Sequence, residues 1–171
     1  NCLRRLLKFS TTPLNPESEL LLFNASRAQL VTDVIRPALG RGEVVLCDRF
    51  TDSTLAYQGY GRGIPLETVE SVNRAAMGEL KPDLTVFLNI PPEEGLKRHH
   101  TARDRFEMGF EQKDVMDFHQ RVHQGYLEMA TKEPERWLAI DARLPSPQVA
   151  RLIWQRVEPL LGNRGLTKKA S

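Results

Sequence analysis

Glu43-Val44-Val45-Leu46-Cys47 is a short, nearly continuous apolar run, and it stops at the charged pair Asp48-Arg49. Such a run suits a strand buried on both faces of a parallel sheet. Leu84-Thr85-Val86-Phe87-Leu88-Asn89-Ile90 is a second run of this kind, and Trp137-Leu138-Ala139-Ile140, closed by Asp141, is a third. Helical patterns separate them. From Glu17 to Leu39, the residues Leu20, Phe23, Leu30, Val34 and Ala38 recur at helical spacing, and Gly40 closes the segment. Pro37 is expected to bend or fray its last turn. Further helices are predicted over 65–77, with Pro65 in the first turn, and over 93–100, 110–130 and 146–161. A short helical stretch at 1–9 and a loop at 10–16 come before them, and 162–171 reads as a loose basic tail. Strands alternating with helices predict one α/β domain over 1–161, a parallel sheet sandwiched by helices. Sheets of that class place ligands at the carboxyl ends of their strands, where Asp48-Arg49, Pro91-Pro92 and Asp141 gather.

The composition excludes several function classes. The net charge of +2, from 24 basic and 22 acidic side chains, is too balanced to argue for a nucleic-acid partner. No apolar run approaches the roughly 18 residues of a membrane span. Two cysteines, Cys2 and Cys47, fall short of a disulfide framework or metal cluster, so a cytoplasmic protein with reduced thiols is expected. The chain starts with Asn1 rather than Met, which reads as a fragment or a processed chain.

The segment from Asp48 to Gly59 is the richest in chemistry. Arg49 offers a planar fork for phosphate oxygens, and Asp48 is placed to orient that fork or to hold a hydrated magnesium ion. A structural ion pair capping the strand is the alternative for these two residues. Ser53, Tyr57 and Gln58, spaced to lie near one another on a short helix, present a hydroxyl, a flat ring and an amide that suit a pyrimidine edge and a sugar. Gly59, Gly61 and Gly63 flank Arg62 and permit tight backbone turns, but their spacing is not that of a dinucleotide-binding fingerprint. Lys97, Arg98, Arg103 and Arg105 crowd one short stretch with His99 and His100, which are adjacent rather than at metal-ligand spacing.

Asp48-Arg49-Phe50, Ser53, Ala56-Tyr57-Gln58-Gly59 and Gly61-Arg62-Gly63 together resemble the signature of the bacterial thymidylate kinase family. Leu21-Leu22-Phe23-Asn24-Ala25-Ser26-Arg27-Ala28-Gln29 is similar to that family's thymidylate-binding helix. Lys81-Pro82-Asp83-Leu84 resembles its approach to the fourth strand, Asp104-Arg105-Phe106-Glu107 part of its lid, and Ile140-Asp141-Ala142 its last strand. The likeness runs from about Leu3 to Leu161. It implies a P-loop-kinase-like fold, with dTMP and ATP as substrates, Mg2+ as cofactor and a homodimer. By resemblance, Phe23 stacks on thymine, Arg27 donates to the base, and Arg49 clamps the thymidylate phosphate. Ser53 and Gln58 read the polar edge of the base, Tyr57 crowds the position of a ribose 2′-hydroxyl, and Arg62 lies near the base-side pocket. Arg98, Arg103 and Arg105, on a lid at about 97–108, stabilise the transferring phosphate and hold ATP, and Asp48 holds Mg2+ through water.

A kinase of this class needs Gly-x-x-x-x-Gly-Lys-Ser/Thr to cradle the ATP phosphates, and no such stretch occurs among the 171 residues. The family's strand order, 2-3-1-4-5, then implies that the first two strands and the phosphate loop are missing. The expectation is that the runs at 44–47 and 84–90 lose their common neighbour, leaving unpaired edges or a collapse of one onto the other, and that the chain is poorly stable alone. Three readings follow: a dTMP kinase, a dTMP-binding remnant without catalysis, and a truncated product whose edges aggregate.

Overall fold

The computed structural model describes residues 14–98 and 112–162. The expected helix at 1–9, part of the loop after it, lid residues 99–108 with Arg103 and Arg105, and the tail from 163 lie outside the described residues. In chain order, α1 spans Pro16–Leu30 and continues through a π-helical turn, Val31–Ile35, into Arg36–Gly40. α2 joins Thr51–Thr54 to a π-helical stretch, Leu55–Gly61. Next come α3 (Leu66–Met77), β1 (Thr85–Asn89), α4 (Pro92–Arg98), α5 (Gln112–Lys132), β2 (Trp137–Asp141) and α6 (Ser146–Gly162).

Local chemistry explains these boundaries. Asn15 caps α1 by accepting from the Ser18 backbone N–H at 2.7 Å, with Pro16 at the first position and Glu17 and Glu19 in the first turn. Pro37 has no N–H to give to the carbonyl one turn back. The helix answers by widening ahead of it, where the Arg36 N–H reaches the Val31 carbonyl, five residues back. Pro65 serves as the N-cap of α3 rather than as part of its first turn. Gly162 ends α6 instead of opening the tail.

β1 and β2 pair in parallel, Thr85 opposite Trp137 through to Asn89 opposite Asp141. They form an α/β arrangement with a small parallel sheet and many helices. The expected strand at 43–47 does not form. Its backbone has no ladder partner among the described residues, and its side chains are not buried on both faces: Val44 is 51% exposed and Leu46 91%. Extended backbone is a strand only when a neighbour accepts and donates along its edge. The segment has not collapsed onto β1 either, which among the described residues pairs only with β2, and Leu88 there is 50% exposed. An apolar run alone is thus not sufficient for a sheet strand.

Three apolar clusters hold the helices. Ala56, Phe118, Val122, Met129 and Trp137 join α2, α5 and β2; Val31, Ile35, Phe50 and Met77 join α1 to α3; Leu20, Ile64 and Val69 close the α1–α3 contact. α2 and α5 approach so closely that a Cβ on Gly61 would stand 2.6 Å from the Phe118 ring. One on Gly125 would stand 2.5 Å from the Tyr60 ring. Gly61 and Gly59 are therefore there for packing; of the three glycines around Arg62, only Gly63 has positive φ, at 79°.

A polar anchor crosses these layers. Arg136, just before β2, donates to Asp52 of α2 through both terminal nitrogens, at 2.7 and 2.9 Å. The Thr85 hydroxyl, at the start of β1, donates to the same carboxylate at 2.7 Å. Burial opposes the charge on Arg136, but its hydrogen bonds to Asp52 and Glu133 outweigh that and raise its pKa. The Asp52 and Arg136 side chains are only 8% and 15% exposed, so removing one partner strands a buried charge. Asp52→Ala should lower stability by about 3 kcal/mol, read from urea unfolding. Asp52→Ala combined with Arg136→Met should recover most of that loss. An unchanged midpoint in the single variant would show the pair to be dispensable.

Candidate nucleotide site

The site grows from the corner where the extended segment turns into α2. Arg49 is the sole non-glycine residue with positive φ, 66°, among the described residues. That region costs an L-residue roughly 1–2 kcal/mol, and such strain persists where the surrounding structure enforces it. The turn aims the exposed Arg49 guanidinium over the Tyr57 ring, 4.7 Å from its centroid. Tyr57 meets Phe118 of α5 edge to face at 5.9 Å, and Arg62 lies over Phe118 at 5.0 Å. Two cations therefore flank a pair of rings along this wall.

α1 supplies the opposite wall. Arg27 donates to the Thr54 hydroxyl at 2.6 Å and lies 5.7 Å over the Phe50 ring. Phe23, one turn earlier, is 39% exposed, so it is not part of the packed core. One turn earlier again stands Glu19. Its carboxylate accepts from Gln58 Nε2 at 2.6 Å and from Arg62 Nη2 at 3.0 Å. Ser53 shares a hydrogen bond of 2.8 Å with the Tyr126 hydroxyl of α5. Arg49, Tyr57 and Gln58 are thus linked through Phe118, Arg62 and Glu19, while Arg27 rests on Thr54 and Ser53 on Tyr126.

The sequence profile described as Thymidylate kinase matches residues 1–153 of this chain. The chain belongs to the thymidylate kinase family. It is 50% identical to the thymidylate kinase of a Synechococcus species over 149 residues, covering 87% of this chain and 69% of that one. It is 49% identical to the thymidylate kinases of Dehalococcoides mccartyi and Desulfovibrio desulfuricans, covering 94% of this chain and 76% of theirs in each case.

Other residues expected to serve a thymidylate kinase site lie elsewhere or differently. Arg98 donates to the Ala142 carbonyl at 3.2 Å, beside the carboxyl end of β2. Next to it, hydrogen bonds from Arg143 hold the Asp141 carboxyl down at about 2. Asp48 is exposed, and no group of three metal-ligating side chains exists among the described residues. A lone carboxylate nevertheless fits Mg2+, which keeps its waters and binds one or two carboxylates together with substrate phosphates. Gln58, expected to read the polar edge of the base, is 3% exposed and donates to Glu19.

Glu19, Thr54, Phe118 and Tyr126 were missed by sequence reasoning. Glu19 carries no signal beyond an acidic side chain in a helix's first turn, and Phe118 and Tyr126 lie inside a long amphipathic helix that reads as core. The Arg27 pKa is lowered by burial, partly offset by the Cys47 thiol nearby. Burial pushes the Tyr126 phenol up to about 12, although its hydrogen bond with Ser53 opposes this. A raised phenol pKa means that the fold favours the neutral form. That contribution is complete below the unfolded value near 10 and is lost as pH rises toward about 12. Ultraviolet titration should therefore show a late tyrosine that vanishes in Tyr126→Phe. Three tyrosines all titrating near pH 10 would contradict the burial of Tyr126.

Proposed function

We propose that this chain binds thymidylate as the acceptor in ATP-dependent phosphorylation of dTMP to dTDP, the activity for which its relatives are named. The observation that supports this most is Arg49, held in a strained left-handed turn with its guanidinium over an aromatic ring and open to solvent. A costly conformation at an exposed cation is better explained by a ligand anion than by stability. In this reading Arg49 forks onto the thymidylate phosphate. Phe23 stacks on thymine, and Arg27, already oriented by Thr54, donates to the base. Tyr57 walls off the 2′ position of the sugar. A thymidylate phosphate oxygen attacks the γ-phosphorus of ATP, ADP leaves, and positioned cations stabilise the spreading charge. Arg103 and Arg105 would supply that charge from the lid, with Arg98 beside them. Mg2+, held through water at Asp48, would neutralise the phosphates.

We propose the same cytoplasmic setting and homodimer that the resemblance implies. No helix among the described residues is long and apolar enough to cross a membrane. Leu30 and Val34, one turn apart on α1, are 40% and 53% exposed, which supports a helix-to-helix contact between two copies.

Binding of dTMP without catalysis is the second reading, because the groups proposed to hold dTMP, Arg27 and Arg49, lie among the described residues. The P-loop-kinase-like sheet order belongs with the kinase reading, which needs an ATP-phosphate cradle beyond the residues described. Calorimetry separates the two: both expect dTMP to bind, and ATP binding with turnover selects the kinase. Failure to bind dTMP would end both.

Arg49→Gly tests the strained cation directly. Glycine adopts positive φ freely, so the variant should be at least as stable as the parent, by up to about 1 kcal/mol. It should also lose dTMP affinity by about 10- to 100-fold, through the lost charged hydrogen bonds. A destabilised variant that binds dTMP normally would show that Arg49 serves the fold.

A further inference from the structure

We infer that Glu19 is the positioning residue that makes Gln58 select a pyrimidine carrying an N3–H, thymine rather than cytosine. This rests on the thymidylate reading of the site and assigns its base discrimination to a residue on another helix.

The geometry leaves Gln58 one choice. Its amide carries a donor end and an acceptor end of nearly equal shape. The Glu19 carboxylate, paired with the Arg62 guanidinium at 3.0 Å, can only accept. The end of Gln58 that lies 2.6 Å from it must therefore be the NH2 group, whatever the assignment of its two terminal atoms. The carbonyl Oε1 is left facing the other way. No described residue donates to it. It is not sealed away from solvent, as the unpartnered Asn24 Oδ1 is. Gln58 itself is 3% exposed, so the amide has no room to turn freely.

A fixed acceptor reads a donor. Thymine and uracil present N3–H on the edge between their two carbonyls, whereas cytosine presents a bare N3 lone pair. Against Gln58 Oε1, thymine gains a hydrogen bond and cytosine sets two acceptors face to face. The side-chain exposures of Glu19 and Arg62, 17% and 20%, keep the clamp largely shielded from water, which strengthens it. Arg62 is held in turn by the Phe118 ring, so the orientation of one amide depends on α1, α2 and α5 together.

Glu19→Gln tests this with a change of one atom group. A carboxamide at position 19 can accept or donate, so Gln58 is freed to present either end. Calorimetry on the full chain with thymidylate and with deoxycytidylate reads the ratio of their dissociation constants. That ratio should fall by about tenfold in the variant, chiefly because deoxycytidylate binds better. Any contribution of Arg27 is common to both proteins and cancels. In the parent chain, the Gln58 side-chain carbonyl carbon should shift in the NMR spectrum on adding thymidylate while its amide nitrogen stays in place. This readout does not require the variant to fold. An unchanged ratio in a folded variant, or a shifted amide nitrogen with a still carbonyl, would overturn the role of Glu19 and leave the thymidylate site standing. No thymidylate binding by the parent would remove the site reading and this inference together.

Discussion

The shared carboxylate of Asp52 is the constraint on which the described fold turns. It receives Arg136 through two nitrogens and Thr85 through its hydroxyl, and so ties the start of α2 to the starts of both sheet strands. Among the described residues the two strands form a small sheet in which β1 pairs on one side. Main-chain pairing alone cannot set the position of α2 relative to it. A buried ion pair adds little net stability but tolerates few alternative geometries, since any displacement strands a charge. Because Asp52 is adjacent to Ser53 and three residues from Arg49, fixing it fixes where the site corner points.

From that corner the site is built as a set of restraints. Arg49 is turned outward by a backbone conformation that works against stability. Arg27 is parked on Thr54, Ser53 on Tyr126 and Gln58 on Glu19. Side chains that would otherwise sample many rotamers are held before any ligand arrives, which lowers the entropic cost of binding. The close approach of α2 to α5 depends on glycine at 61 and at 125, where any larger residue meets an aromatic ring.

Much of this was legible in the sequence. The helices now bounded at Pro16–Gly40, Leu66–Met77 and Ser146–Gly162 follow their apolar periodicity, and the parallel pairing of Thr85–Asn89 with Trp137–Asp141 follows the alternation of elements. Family membership was legible from the block around Asp48 to Gly63. The run at 43–47 was not legible as unpaired, because apolar content reports what a segment could bury and not whether a neighbour meets its edge. The π-helical turns before Pro37 and through Tyr57 leave no mark on periodicity over so few residues. The partners of the site residues were hidden for a different reason. Gln58 and Glu19 are 39 positions apart, and Ser53 and Tyr126 are 73 apart, so only packing brings them together. The sequence singled out Arg27, Arg49, Ser53 and Gln58 themselves, but not the groups that hold Arg27, Ser53 and Gln58 in place.

The central claim is that Phe23 and Arg27 of α1 and Arg49 at the head of α2 face a single nucleotide. A crystal structure of the chain with thymidylate bound tests it most directly. The account predicts the thymine ring against Phe23, with Arg27 within hydrogen-bond distance of the base and the phosphate on the Arg49 guanidinium. Thymidylate seated with Phe23 and Arg49 in separate cavities, or away from both, would contradict it.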